Sequence, residues 1–200
     1  MLEPSFNLKL CLVEYDFIIK TQDKTSNPGG GAICGLVGAL AASLTLMVDN
    51  LSKQEALEDP SQVQDLCQRL QVLMQKDAQA FGRVLRAYKL PRESQEEEAH
   101  YQEELEKGYQ EAIEVPLDIC RTLLDLLRIG KTMKDKAHKY ALSDLKVAAS
   151  LAYGAMEGAS FMVETNLPGL GQEAQKTYEK SLEAILKEGY ELKKELNNDE

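Results

Sequence analysis

Along most of the chain apolar residues return at steps of three and four, the spacing of one face of an α-helix. Between Asp59 and Pro91 the stripe is Val63, Leu66, Leu70, Leu73, Met74, Asp77, Phe81, Val84 and Leu85, with one carboxylate among the apolar positions. Asp59-Pro60-Ser61 supplies its start, with Asp59 or Ser61 as cap and Pro60 in the first turn, and Pro91 stops it. Ser94-x-x-Glu97 is a capping box and opens an acidic helix, EEEAHYQEELEKGYQEAIE, whose charges read as a solvated face. Pro116 is expected to break or kink that pattern, leaving LDICRTLLDLLRIG as an apolar helix ending at Gly130. Residues 131–140 are short and basic. Ser143-Asp144 is expected to cap a further apolar helix, LKVAASLAYGAMEGASFMVETNL, closed by Pro168-Gly169. Residues 171–196 form a polar C-terminal helix, and residues 6–22 fit a helix through Leu10, Val13, Phe17 and Ile18.

One segment stands apart. After a polar loop from Thr21 to Gly31, ending in Asn27-Pro28-Gly29-Gly30-Gly31, the chain runs 17 residues from Ala32 to Val48 without a charge. That falls just short of the roughly 18–20 residues of a membrane-spanning helix and is diluted by Gly, Ala and Ser, so a buried central helix ending near Asn50 is expected. Gly31, Gly35, Ala39 and Ser43 fall four apart on one face, where small side chains let another helix approach closely. Ala148, Ala152, Ala155 and Ala159 make a second such stripe, the natural partner for the first. No segment alternates with period two. The chain reads as all-α, a single-domain bundle over residues 1–200 with seven or eight helices.

Composition narrows the function classes. A net charge of −10 argues against a nucleic-acid surface, which needs clustered Lys and Arg. Cys11, Cys34, Cys67 and Cys120 are widely spaced with no C-x-x-C, which fits free thiols in a reducing cytoplasm. The N-terminus lacks the basic, apolar and small-residue order of a secretory signal. His100 and His138 have no partners at metal-ligand spacing, and no P-loop, G-x-S-x-G or Cys–His pair is present, so no metal is expected and chemistry falls to carboxylates.

The glycine turn before a helix N-terminus brings first-turn N–H groups and the positive dipole end to one spot, which suits an anionic or carbonyl ligand; three glycines also serve as a linker. Asp77, in line with Leu70, Leu73, Met74 and Phe81, is the leading candidate for acid–base work, because burial raises a carboxyl pKa. Periodicity equally allows a buried Asp that pairs with a Lys or caps a neighbouring helix. Glu157 is a weaker instance of the same kind. Asp144 reads most simply as an N-cap, and Asn166 as a ligand contact or a helix terminator.

PGGG opening an Ala/Gly-rich helix, then KDAQAF before a Leu-Pro stop, then VPL, SDLKVAA and a helix ending in TNL, together resemble the cyclodeaminase/cyclohydrolase family of folate enzymes. The five blocks keep the family's order and spacing from about Glu14 to the C-terminal helix. The resemblance implies an all-helical cytoplasmic homodimer, acting on a tetrahydrofolate derivative with no tightly bound cofactor, membrane or nucleic-acid partner. It implies formiminotetrahydrofolate cyclodeaminase or methenyltetrahydrofolate cyclohydrolase activity at the N5/N10 one-carbon bridge, with Asp77 catalytic. It further implies Pro28, Gly29, Gly30, Gly31, Asp144 and Asn166 as substrate-binding positions. Ala32 stands where the family usually has Ser, and Lys53 alone represents a basic segment after the central helix. Those two departures favour the alternative, a catalytically silent folate-binding or helical interaction protein of the same fold.

Overall fold

The computed structural model describes residues 17–24, 28–52 and 56–198. Five long helices account for most of them: α1 Gly30–Leu51, α2 Pro60–Ala87, α3 Gln95–Met133, α4 Leu142–Asn166 and α5 Gln172–Asn197. Residues 17–21 are also helical, and one 3-10 turn, Leu167–Gly169, joins α4 to α5. No strand occurs among the described residues, so the all-α expectation holds. The rest of the helix expected over residues 6–22, Cys11 and Lys53 lie outside the described residues.

The helix starts follow local chemistry. Asp59 accepts the Ser61 N–H at 3.0 Å and caps α2, with Pro60 at its first position. In the capping box of α3, Glu97 N–H donates to Ser94 Oγ at 3.2 Å and Ser94 N–H to Glu97 Oε2 at 3.1 Å. Two expectations at this level fail. Pro116 does not divide its helix: α3 runs 39 residues straight through it. Apolar neighbours bury the ring, and one missing N–H leaves the rest of the helical ladder in place. The merger takes one helix off the seven or eight expected. Nor do Ser143 and Asp144 cap α4, which begins after Ala141 without a side-chain cap; Asp144 sits in the first turn, where a carboxylate meets the positive dipole end.

Small residues decide the packing of α1. A Cβ on Gly35 would lie 2.9 Å from Met74 Cβ and 3.0 Å from Met74 Cα, and the Cys67 thiol reaches the Ala39 carbonyl at 3.6 Å. The stripe Gly31, Gly35, Ala39, Ser43 therefore receives α2, antiparallel, and not the alanine stripe of α4 as expected. The reason is bulk: α2 brings Leu70 and Met74, which need the space that glycines leave. Helix α4 meets α1 on an adjacent face, where Cys34 Sγ fills the place a Cβ on Gly158 would take. Helix α3 closes the core with Ile113, Leu117, Ile119, Leu123 and Leu127 buried, and α5 covers it through Leu182, Ile185 and Leu192. Arg128 ties α3 to α5 by a two-pronged pair with Glu188, at 2.7 and 2.8 Å.

Successive helices alternate direction, which gives the bundle two distinct ends. One gathers the start of α1, the second half of α2, the first half of α3 and the end of α4. The other holds Asp49, whose carboxylate accepts the Leu57 N–H at 2.8 Å, together with the end of α3 and the start of α4. Gly35→Ala tests the close α1–α2 contact: the new methyl meets backbone, so stability should fall by about 1–3 kcal/mol, seen as a lower urea midpoint with an unchanged m-value.

Candidate functional site

At the first of these ends lies a cleft of about 260 Å³ walled by Gly29, Gly30, Gly31, Asp77, Ala80, Phe81, Gly82, Leu85, Ala112, Met162 and Asn166. Four helices meet there. The glycines come from the opening of α1, Asp77 to Leu85 from α2, Ala112 from α3, and Met162 and Asn166 from the last turns of α4.

Asp77 is anchored from both sides of the α1–α2 contact. Its Oδ2 accepts the Ala32 N–H at 3.1 Å, a first-turn amide with no carbonyl partner in its own helix. A Cβ on Gly31 would fall on the Asp77 carboxyl itself, so only glycine leaves room for it. Gly29 has φ −99°, and Gly30 and Gly31 also lie outside the left-handed region. No positive φ occurs at these three positions. Close approach of the α2 carboxylate is what requires glycine here.

Burial pushes the Asp77 carboxyl pKa above its ordinary value, and the Ala32 N–H only partly offsets this. Burial, and after it the same carboxylate, push the Cys34 thiol up to about 11, and burial pushes Cys120 up to about 12. Both remain thiols at neutral pH, which leaves Asp77 as the titratable group in the cleft wall.

Asn166 owes its setting to a proline. Pro116 has no N–H to offer the Ala112 carbonyl four residues earlier. Asn166 Nδ2 donates to that carbonyl at 3.3 Å and to the Met162 carbonyl at 2.7 Å. The amide is thereby fixed, with no donor to its Oδ1 among the described residues.

The other candidates sit elsewhere. Pro28 forms a bend next to the glycine wall. Asp144 lies 22 positions before Asn166 on α4, about 33 Å away along a straight helix, at the opposite end of the bundle. Glu157, expected to be buried, is exposed, because its position on α4 faces outward. The basic stretch belongs to the Asp144 end: Lys131 pairs with Glu195 and Lys136 with Glu58. Phe81 and Leu85, read as core from their spacing, are 44% and 45% exposed and form the cleft's apolar side. Gly82, Ala112 and Met162 escaped notice; Met162 is one turn before Asn166 on the same face, and Ala112 one turn before Pro116.

The profile of the family described as Formiminotransferase-cyclodeaminase matches residues 15–188. The chain belongs to this family. It is 29% identical over 156 residues to a methenyltetrahydrofolate cyclohydrolase of Methylorubrum extorquens, covering 74% of this chain and 75% of the relative. It is 30% identical over 162 residues to the formimidoyltransferase-cyclodeaminase of Mus musculus, covering 76% of this chain and 30% of that longer protein. Among solved structures, a formiminotetrahydrofolate cyclodeaminase from Thermotoga maritima superimposes with a TM-score of 0.79 at 26% identity, covering 91% of this chain and 92% of that one. In this member of the family, then, the glycine turn and the Asp77 helix meet at one cleft.

Two neighbouring glycines separate the roles of this wall. Gly31→Ala puts a methyl on the Asp77 carboxyl and should displace it, lowering stability by about 1–3 kcal/mol. Gly30→Ala meets only the flexible Met162 thioether, at 3.4 Å, in a backbone conformation any residue adopts. Its melting temperature should barely move, while titration calorimetry with an unreactive folate analogue should show weaker binding. Unchanged affinity in a well-folded Gly30→Ala protein would remove the glycines from the binding wall.

Proposed function

We propose that the chain is a cytoplasmic enzyme that rearranges the N5/N10 one-carbon bridge of a tetrahydrofolate derivative, as a cyclodeaminase or a cyclohydrolase, with Asp77 as its acid–base. The observation that carries this reading is the Asp77 carboxyl: half-buried, held by one amide, pKa raised, in the wall of a cleft with an apolar side. The relatives' names supply the substrate class, and the chemistry suits a single carboxyl of this kind.

In the cyclodeaminase reaction N10 attacks the formimino carbon on N5, and ammonia leaves to give the methenyl bridge. A base takes the N10 proton, and an acid delivers one to the departing amine. A carboxyl whose pKa burial raises gains basicity for the first step and, once protonated by N10, holds the proton that the second step delivers. In the cyclohydrolase reaction water adds to the methenyl carbon while the same carboxylate takes its proton, and one bridging C–N bond then breaks, the carboxyl returning the proton to the departing nitrogen and leaving a formyl group on the other. Asn166, locked by the Ala112 and Met162 carbonyls, offers Oδ1 to a ring N–H. The Phe81–Leu85 side accepts an aromatic face.

The homodimer belongs to the same proposal. Leu40 and Met47 on α1 and Val147, Leu151 and Phe161 on neighbouring α4 are exposed, an apolar surface suited to a second copy. Light scattering at micromolar concentration should give twice the chain mass, and Leu40→Asp should shift it toward the monomer. A wild-type monomer under those conditions contradicts this part of the reading.

Activity is tested by following methenyltetrahydrofolate absorbance and by offering formiminotetrahydrofolate and measuring ammonia. Turnover of the first alone identifies a cyclohydrolase, ammonia release a cyclodeaminase, and binding without either a silent member of the family. Asp77→Asn should lower the rate about 10²–10⁴-fold. The same substitution should raise the melting temperature slightly at pH 7. A carboxyl whose folded pKa exceeds its unfolded one contributes stability that is complete below the unfolded value, near 3.8, and lost as pH rises through the folded value. Ionised Asp77 therefore costs stability at neutral pH, and a neutral amide relieves it. An active Asp77→Asn protein overturns the assignment.

A further inference from the structure

Next to the cleft, α2 carries a second cavity of about 220 Å³ lined by Arg83, Arg86, Ala87, Leu90, His100 and Glu104. Its two arginines differ. Arg83 is engaged by Glu104 and Glu111 at 3.4 and 3.3 Å. Arg86 is exposed, and its side chain makes no hydrogen bond or ion pair with any described residue. It folds back along the helix so that Nη1 lies 3.4 Å from where a Cβ on Gly82 would be. Gly82 walls the first cleft. Arg86 thus lines the second cavity and sets its guanidinium against Gly82, a residue of the first cleft's wall.

Distance and order along α2 give this arrangement a direction. Gly82 is five positions beyond Asp77, about 7.5 Å along the axis. Phe81 and Leu85, on either side of Gly82 in the sequence, present an apolar surface on the cleft side. An occupant lying along α2 meets, in turn, a titratable carboxyl, an apolar surface and a guanidinium without a counter-ion. Arginine's planar fork matches a carboxylate bidentately, and a fork not already neutralised keeps its full attraction for one.

We infer that Arg86 receives the carboxylate end of the substrate, with Phe81 and Leu85 against the aromatic ring that separates this end from the one-carbon bridge at Asp77. The inference rests on the folate reading above and deepens it. It makes Arg86 a specificity-determining residue of this chain. The reacting end meets the cleft at Asp77, and the anionic end a cation in the last turn of α2.

The test uses two unreactive probes, folic acid and pteroylamide, which lacks the glutamate and carries no carboxylate. Calorimetric titration of the intact protein at low salt should give folic acid about tenfold tighter binding, the contribution of one charge-assisted pair. Raising the salt concentration should shrink that advantage. Arg86→Gln, on an exposed position, should bring the two probes to within about twofold of each other, with folic acid weakened and pteroylamide little changed. Equal affinities in the wild type, or an advantage that survives in Arg86→Gln, would overturn the inference and leave the folate reading standing. Failure of both probes to bind would overturn the two together.

Discussion

The approach of α1 to α2 at Gly31 is the constraint on which the rest of the site depends. A side chain at that position would occupy the space of the Asp77 carboxyl, and a slightly larger separation of the helices would take the Ala32 N–H out of hydrogen-bonding range. The small-residue stripe that continues through Gly35 and Ala39 keeps the two helices at this distance along their length. Packing in the core and chemistry at the cleft are therefore one problem. The spacing that lets Met74 and Leu70 fit against α1 also brings a carboxylate onto the first turn of an apolar helix.

That placement sets the electrostatics. A carboxylate near a helix N-terminus is ordinarily stabilised by first-turn amides and the dipole, which lowers its pKa. Here desolvation outweighs the single amide, and the net direction is upward. The same carboxylate in turn adds to the burial that raises the neighbouring Cys34 thiol. The result is a destabilised group kept in place by the fold, the usual compromise of a site whose reactivity opposes stability.

Much of this was legible in the sequence, and the failures have physical causes. Asp59-Pro60 and Ser94-x-x-Glu97 marked two helix starts because capping is local chemistry. The carboxylate in the apolar stripe of α2 pointed to Asp77 for the same reason that periodicity works at all: one face of a helix shares one environment. Pro116 misled because a proline within a long, buried helix is tolerated once its freed carbonyl finds another donor, here Asn166 from α4. That pairing joins residues 54 positions apart, and no local rule reaches so far. Phe81 and Leu85 misled in another way, since an apolar stripe does not say whether it faces packed side chains or an open cleft. Asp144 is the clearest limit. The resemblance implied a substrate-binding role for it, yet in the folded chain it lies at the other end of α4 from Asn166.

The central claim is that one carboxyl, at the meeting of α1 and α2, holds and moves the proton of the folate reaction. Its most direct test is an NMR titration of the Asp77 side-chain carboxyl carbon, read with and without an unreactive tetrahydrofolate analogue. The account predicts a midpoint above the ordinary aspartate value of 3.8 in the free protein and a clear displacement of that resonance when the analogue binds. A carboxyl that titrates at the ordinary value and does not respond to the bound analogue would contradict it.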